Sequence, residues 1–201
     1  MIALIDYEAG NIQSVKNALN QLNCDFVLTD DHDLIRKAEK VIFPGVGHAG
    51  AAMDALANKG LVEVIKGLIQ PVLGICVGMQ VYCESSEEGD TPCLGIIPGK
   101  VTRFNYTDLK VPHMGWNQVT HKRESPLFDR ISDNEYFYFV HSYYVPDSEY
   151  SIGNCIYGDE KEKVTFSAVV QKDNFYGIQF HAEKSGNMGG LLIENFLRIK
   201  G

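Results

Sequence analysis

The chain has 201 residues, 45% of them apolar, enough for one domain (1–201) with a sizeable core. A net charge of −8, with acids and bases interspersed, would repel phosphate backbones and argues against nucleic acid as a partner. No apolar run approaches the ~18 residues of a membrane span, and Met1-Ile2-Ala3-Leu4-Ile5-Asp6 lacks the basic start of a signal peptide. The five cysteines are an odd number without C-x-x-C spacing, and the six histidines do not cluster with them. A cytoplasmic protein without disulfides, metal or other cofactor is expected.

The first half alternates strand and helix. Ile2 to Asp6 reads as a buried strand, Gly10-Asn11 as a turn, and Val15, Leu19 and Leu22 recur at helical spacing. A strand at Phe26–Leu28, a helix near Leu34–Ala38 and a strand at Val41–Phe43 follow. Helices are predicted at Ala51–Ala57 and Leu61–Ile69, a buried strand at Val72–Ile75, and a helix at Val77–Cys83. Repeated strand–helix units imply a parallel sheet with helices on both faces. The second half is strand-rich, at Val101–Phe104, Tyr136–Val140, Ser151–Tyr157, Phe166–Gln171 and Phe175–Phe180. Lys172-Asp173-Asn174 reads as a hairpin turn, and Met188–Ile199 as a closing amphipathic helix.

Three segments carry chemistry. Gly74-Ile75-Cys76-Val77-Gly78, between an apolar strand and a helix, is the thiol form of a nucleophile elbow. Flanking glycines permit the sharp turn, and the helix start supplies N–H groups and positive potential favouring thiolate. Alone, it reads equally as a buried structural cysteine between two packing glycines. Cys24, Cys83, Cys93 and Cys155 lack this context and read as structural.

His181 and Glu183 stand two apart after the last strand, and in extended chain such residues face one way. Glu183 would then hold the His181 tautomer that accepts a proton from Cys76. A lone histidine is more often a structural one, but beside a nucleophile elbow the balance reverses. Pro44-Gly45-Val46-Gly47-His48-Ala49-Gly50 satisfies G-x-G-x-x-G, yet it follows the third strand, and no acid lies between Val64 and Ile75 to bind a ribose. It reads better as an oxyanion-binding loop.

Together these segments resemble the class I glutamine amidotransferases with a Cys-His-Glu triad, over nearly the whole chain. The resemblance implies a flavodoxin-like, mixed but mainly parallel α/β sheet and a glutaminase mechanism on Cys76, His181 and Glu183. It implies oxyanion donors around Gly45, Val46, Gly47 and Val77, and glutamine contacts at Gln80, Glu88 and the backbone of Ser142 and Tyr143. Asp6-Tyr7 with Gly10-Asn11, Pro112–Asn117, Phe139–Tyr144 and Phe180–Gly186 resemble the branch serving histidine biosynthesis. That branch implies a heterodimer in which ammonia passes to a cyclase subunit with a (β/α)8 barrel. A related glutaminase feeding another acceptor, in surface-sugar or pyridoxal phosphate synthesis, stays open.

The family usually has Pro where this chain has Ala182. Pro would restrict His181 to extended backbone, so a modest loosening is expected. Trp116 is read in a loop, as core or partner surface. Tyr138 and Asn11 are further partner candidates. Asp30-Asp31-His32-Asp33 reads as a helix cap on a solvated face, and Glu84–Asp90 as a loop in which Glu88 is singled out.

Overall fold

All four residues of β1 (Ile2–Ile5) and of β4 (Val72–Ile75) are buried. An unbroken apolar run of this length marks a strand covered on both faces. The computed structural model describes residues 1–7, 12–105 and 109–200. Between β1 and β4 come α1 (Ile12–Gln21), β2 (Phe26–Thr29), α2 (His32–Lys37), β3 (Lys40–Phe43), α3 (Ala49–Asn58) and α4 (Leu61–Lys66). After β4 follow α5 (Val77–Gln80), β5 (Ser85–Ser86), β6 (Thr91–Pro92), β7 (Lys100–Arg103), β8 (His113–His121) and β9 (Glu135–His141). The chain closes with β10 (Tyr143–Tyr144), β11 (Ser151–Gly158), β12 (Lys163–Lys172), β13 (Phe175–Ile178) and α6 (Gly186–Arg198).

Nine strands form one sheet in the order β2-β1-β3-β4-β13-β12-β11-β8-β9. The sheet is mixed, as expected, but parallel order does not predominate. The four pairings from β2 to β13 are parallel and the four from β13 to β9 antiparallel. Short connections explain the β11–β12 and β12–β13 pairings, because a tight turn permits only antiparallel neighbours. Asp173, at φ 51°, makes the predicted turn between β12 and β13. That turn delivers β13 beside β4, where Phe175 pairs with Val72 and Ile178 with Ile75.

Helices α1 and α6 both meet a 3-10 turn at Ala182–Lys184, whereas α4 packs against α2 and α3, and α3 against α5. Asp31 caps α2 by accepting from the N–H groups of Asp33 and Leu34, as its sequence context predicts.

Besides the short strands β5, β6 and β10 and a 3-10 turn at Glu88–Asp90 in the segment read as a loop, two elements differ from expectation. The segment around Trp116 is a strand, β8, paired with β9 through Trp116 opposite Tyr138. Pro112 and Gly115 hide it in the sequence. Helix α5 stops at Gln80 rather than Cys83 because the N–H groups of Tyr82 and Cys83 bond three residues back, to Met79 and Gln80, and the next carbonyls are taken from outside. Leu94, Ile97 and Gly95 donate their N–H groups to Val81, Tyr82 and Cys83.

At the antiparallel end of the sheet, β8 and β9 bury His113 and His141 among aromatic rings. His113 stacks on Tyr157 at 4.0 Å and on Phe139 at 4.9 Å, while His141 packs against Phe104 and Phe166. Burial pulls the His113 imidazole down to about 4; burial, then the neighbouring His113, pulls His141 to about 3. In the unfolded chain such rings protonate near about 6.5. Below that value the unfolded state binds more protons than the fold, so stability should fall as pH drops from about 6.5 towards 4, by up to ~1.4 kcal/mol per pH unit for each ring. Urea unfolding across this window checks it, and His113→Asn should about halve the slope attributable to the pair. Equal slopes in both proteins would refute it.

Candidate active site

The β4 strand ends on Cys76, whose backbone sits at φ 53°, ψ −109°. A non-glycine residue held there stores on the order of 1–3 kcal/mol of strain, which surrounding structure must oppose. The turn's sharpness therefore resides in the cysteine itself, and the neighbouring glycines serve another end. A Cβ on Gly78 would lie 2.3 Å from the Phe43 carbonyl oxygen, and one on Gly45 would lie 2.2 Å from the Gly78 nitrogen. The loop after β3 is thus pressed, backbone on backbone, against the elbow. Tyr7 donates its hydroxyl to the Pro44 carbonyl at 2.6 Å and fixes that loop from behind.

With α5 only four residues long, its macrodipole is small. Local N–H groups matter more. Met79 and Gln80 both donate to the Cys76 carbonyl, and by helix geometry Val77 and Gly78 have no intrahelical acceptor.

His181 arrives at the same sheet edge from β13. Its N–H donates to the Tyr138 carbonyl at 2.9 Å, and its carbonyl accepts from the Ser185 hydroxyl at 2.7 Å. The imidazole Nδ1 lies 2.7 Å from Glu183 Oε1. Extended chain was expected to align this pair, and the structure corrects that expectation: Ala182–Lys184 is a 3-10 turn that folds the carboxylate back under the ring. His181 itself stays extended, at φ −91°, ψ 94°, without the proline. Its bonds with Tyr138 and Ser185, a further one from the Lys184 N–H to its carbonyl, and the close approach of α6 hold it. A Cβ on Gly189 would lie 1.9 Å from the Ala182 carbonyl oxygen, so only glycine lets the helix press on this turn.

Burial disfavours an imidazolium at His181, but hydrogen bonds to Cys76 and Glu183, with their charges, outweigh it and raise the ring to about 10. Since Nδ1 serves Glu183, Nε2 is the nitrogen left for the thiol. The Glu183 side chain is 2% exposed, and its Oε2 meets no donor among the described residues. The imidazolium is therefore the main answer to its charge. Burial lifts the thiols of Cys83, to about 12, and Cys93, to about 11, and also raises Cys155. Those cysteines stay protonated.

A cleft of about 460 Å³ opens over the thiol, lined by Val46, Gly47, Cys76, Val77, Gln80, Glu88, Ser142, Tyr143 and His181. Gly45 packs behind this lining and Glu183 behind His181. Glu88 accepts the Ala49 N–H at 2.7 Å, tying the cleft to the start of α3. Gln80 commits its Nε2 to the Tyr143 carbonyl at 2.8 Å and to Gln179 Oε1 at 3.0 Å. Gln179 Nε2 in turn lies 3.7 Å from Cys76 Sγ. Sequence reasoning assigned no role to Gln179, although its place two residues before His181 was a usable signal. Pro112, Val140, His141 and Lys184 also line the cleft.

Trp116 is exposed on β8 and Tyr138 half-buried on β9, their rings 6.2 Å apart, outside the cleft. Asn11 lies outside the described residues. A larger cleft of about 870 Å³, between the His121–Arg130 segment and the end of α6, contains neither the thiol nor the His–Glu pair. Among the described residues no group of three or more His, Cys, Asp or Glu is placed to hold a metal, and no helix is long and apolar enough to cross a membrane.

Comparisons with known proteins place the chain among relatives. The chain is similar to proteins described as imidazole glycerol phosphate synthase subunit HisH. Identity is 48% with that of Haemophilus influenzae, over 98% of this chain and 96% of the relative. It is 44% with that of Buchnera aphidicola, over 98% and 99%. Among solved structures, a putative GMP synthase protein from Thermoplasma acidophilum superposes with a TM-score of 0.71 at 17% identity, covering 98% of this chain and 91% of that one. PurLQS from Thermotoga maritima gives 0.67 at 18%, covering 98% and 96%; at such identities the likeness is one of fold. The profile described as "Glutamine amidotransferase class-I" matches residues 3–199, and the chain belongs to that family.

Proposed function

We propose that this chain, as a single amidotransferase domain, is the glutaminase subunit of an imidazole glycerol phosphate synthase in histidine biosynthesis, with Cys76, His181 and Glu183 as its catalytic residues. The observation that carries the catalytic assignment is the buried Cys76–His181–Glu183 chain, with Nδ1 of the imidazole 2.7 Å from the carboxylate. The Cys76 thiolate attacks the side-chain carbonyl carbon of glutamine, and the N–H groups of Val77 and of the Gly45–Gly47 loop receive the oxyanion. The His181 Nε2 proton goes to the departing nitrogen, which leaves as ammonia, and a glutamyl thioester remains. His181 then takes a proton from water, whose oxygen breaks the thioester to give glutamate and restore the thiolate–imidazolium pair. Glu183 orients the ring throughout. Glu88 and the Ser142–Tyr143 backbone hold the α-amino and carboxylate groups of glutamine, and Gln80 braces that wall.

The relatives' name describes a subunit of a synthase, and ammonia released in the cleft needs an acceptor. We assign that role to a cyclase subunit with a (β/α)8 barrel, docked on the outer edge of β8 and β9. Met114, Trp116 and Tyr136 are 61%, 55% and 50% exposed there, beside Val140 and Lys184 of the cleft mouth. A reducing cytoplasm suits the free cysteines.

Glutamate release from glutamine, alone and with the cyclase plus its nucleotide ligand, tests the reading. Cys76→Ala should abolish it in both cases, a loss of at least about 10³-fold; strong activity indifferent to the cyclase would favour a glutaminase for another acceptor. Trp116→Ala should weaken cyclase binding about 30-fold, as an aromatic anchor does, and an unchanged Kd by calorimetry would move the contact elsewhere. Because His181 is already extended, Ala182→Pro should fit the first position of the 3-10 turn and stabilise the fold by about 0.4–1 kcal/mol. A lower melting temperature would show that the Ala182 N–H or the ψ of His181 matters more.

A further inference from the structure

His113 and His141 take part in no step of the chemistry above, yet they are buried beside the cleft. Their nitrogens lie in a single hydrogen-bonded file. His141 Nδ1 is 2.7 Å from the Tyr143 carbonyl oxygen, which can only accept, so Nδ1 carries the proton. In the neutral ring Nε2 is then a lone pair. His113 Nδ1, 3.0 Å from that Nε2, must donate to it. His113 Nε2 is in turn an acceptor, facing Asn117 Nδ2 at 3.3 Å. The Asn117 amide is oriented independently of the histidines: Oδ1 accepts the Gln118 N–H at 2.8 Å, and Nδ2 donates to the Ile156 carbonyl at 3.0 Å. Every donor in the file therefore points the same way, from Asn117 through His113 and His141 to Tyr143.

We propose that His113 and His141 form a neutral, one-way hydrogen-bond relay that positions the Tyr143 carbonyl and with it the glutamine-binding wall of the cleft. Both are positioning residues for glutamine binding, an assignment that rests on the glutaminase reading. The relay's target is shared with the site, because the same Tyr143 oxygen accepts Gln80 Nε2 at 2.8 Å, and Gln80 leads through Gln179 to Cys76. An extra proton on His141 would set its Nε2–H against the His113 Nδ1–H. The file would then have to reverse or break. Burial of both rings acts in the same direction, favouring the neutral forms. The stacked rings of Phe139 and Tyr157 keep His113 from turning to escape the conflict. The other titratable ring near His141 is that of His181, whose positive charge adds to the same preference.

Heteronuclear NMR of the imidazole nitrogens, near about pH 7 where free histidine is largely neutral, should find both rings with Nδ1 protonated and Nε2 bare. An Nε2–H tautomer or an imidazolium in either ring would overturn the relay. Kinetics provide the second arm. His141→Leu, which leaves Tyr143 held by Gln80 without the imidazole, should raise KM for glutamine about tenfold while kcat falls less than about threefold. His141→Asn places an amide N–H where Nδ1 stood and should bring KM back to within about threefold of the parent. A folded leucine variant with the parental KM, or an asparagine variant no better than leucine, would refute the positioning role. Should His141→Leu not fold, the asparagine variant and the NMR measurement decide. A parent protein that turns over no glutamine would sink the glutaminase reading instead, while the tautomers would still report on the relay.

Discussion

The parallel pairing of β4 with β13 is the constraint on which the site depends. It joins segments about a hundred residues apart, Val72 to Phe175 and Ile75 to Ile178. On the other side of β4, β3 pairs in the same direction, with Phe43 opposite Gly74. Three neighbouring strands thus end along one edge, and each spills a different component into the same space: the Gly45–Gly47 loop, the thiol and the imidazole. Open α/β sheets bind ligands at that carboxyl edge for this geometric reason. The Cys76 N–H donates to the Ile178 carbonyl at 2.7 Å, so the pairing continues into the strained residue itself and helps to hold it there. Antiparallel strands complete the arrangement from the other side, since the β12–β13 turn returns the chain in the direction β4 requires.

Two histidines that line the same cleft, His141 and His181, are held in opposite charge states by what faces them. His181 meets a thiol and a carboxylate, so burial is overruled and the ring is favoured as imidazolium. His141 meets a carbonyl and another imidazole, neither of which rewards a positive charge, so burial prevails. The contrast has a chemical use. On the proposed reading, the proton offered to the leaving nitrogen comes from His181, and neutral neighbours do not compete for it. Nor do the other buried thiols compete with Cys76 as nucleophiles, because burial without a cationic partner keeps them protonated.

What the sequence disclosed divides along the same line between local and distant interactions. Unbroken apolar runs located β1, β3 and β4, and the Asp173 turn placed a hairpin, since each depends on neighbouring residues alone. The Cys76 elbow and the His181–Glu183 pair were legible as motifs, though the second for an incomplete reason, because a 3-10 turn rather than extended chain joins the two. Strand β8 escaped notice: its exposed positions carry Met114 and Trp116, its buried ones a histidine and a valine, so the usual polarity alternation is inverted. Beyond α5, N–H groups from Leu94, Gly95 and Ile97 take the carbonyls that a longer helix would need, which no local pattern announces. The role of Gln179 and the meeting of His113 with His141 likewise arise only when separate strands pair. Ala182 illustrates the converse. A local rule foretold a looser His181, but Tyr138, Ser185 and the glycine-bearing face of α6 constrain it from elsewhere.

Strand alternation also bears on where an acceptor of ammonia would sit. Residues two apart on a strand share a face. On β9, Phe137, Phe139 and His141 are buried in the core, so Tyr136, Tyr138 and Val140 occupy the opposite face. Val140 lines the cleft, and Tyr136 is half exposed. The aromatic outer face is therefore continuous with the mouth of the site rather than merely near it. Opposite Tyr138 stands Trp116, which extends that face onto β8. Ammonia entering water at neutral pH is protonated and ceases to be a nucleophile. On the proposed reading, a partner seated on this face would cover the mouth as a consequence of docking, and one strand would serve the core with its odd positions and the transfer of ammonia with its even ones.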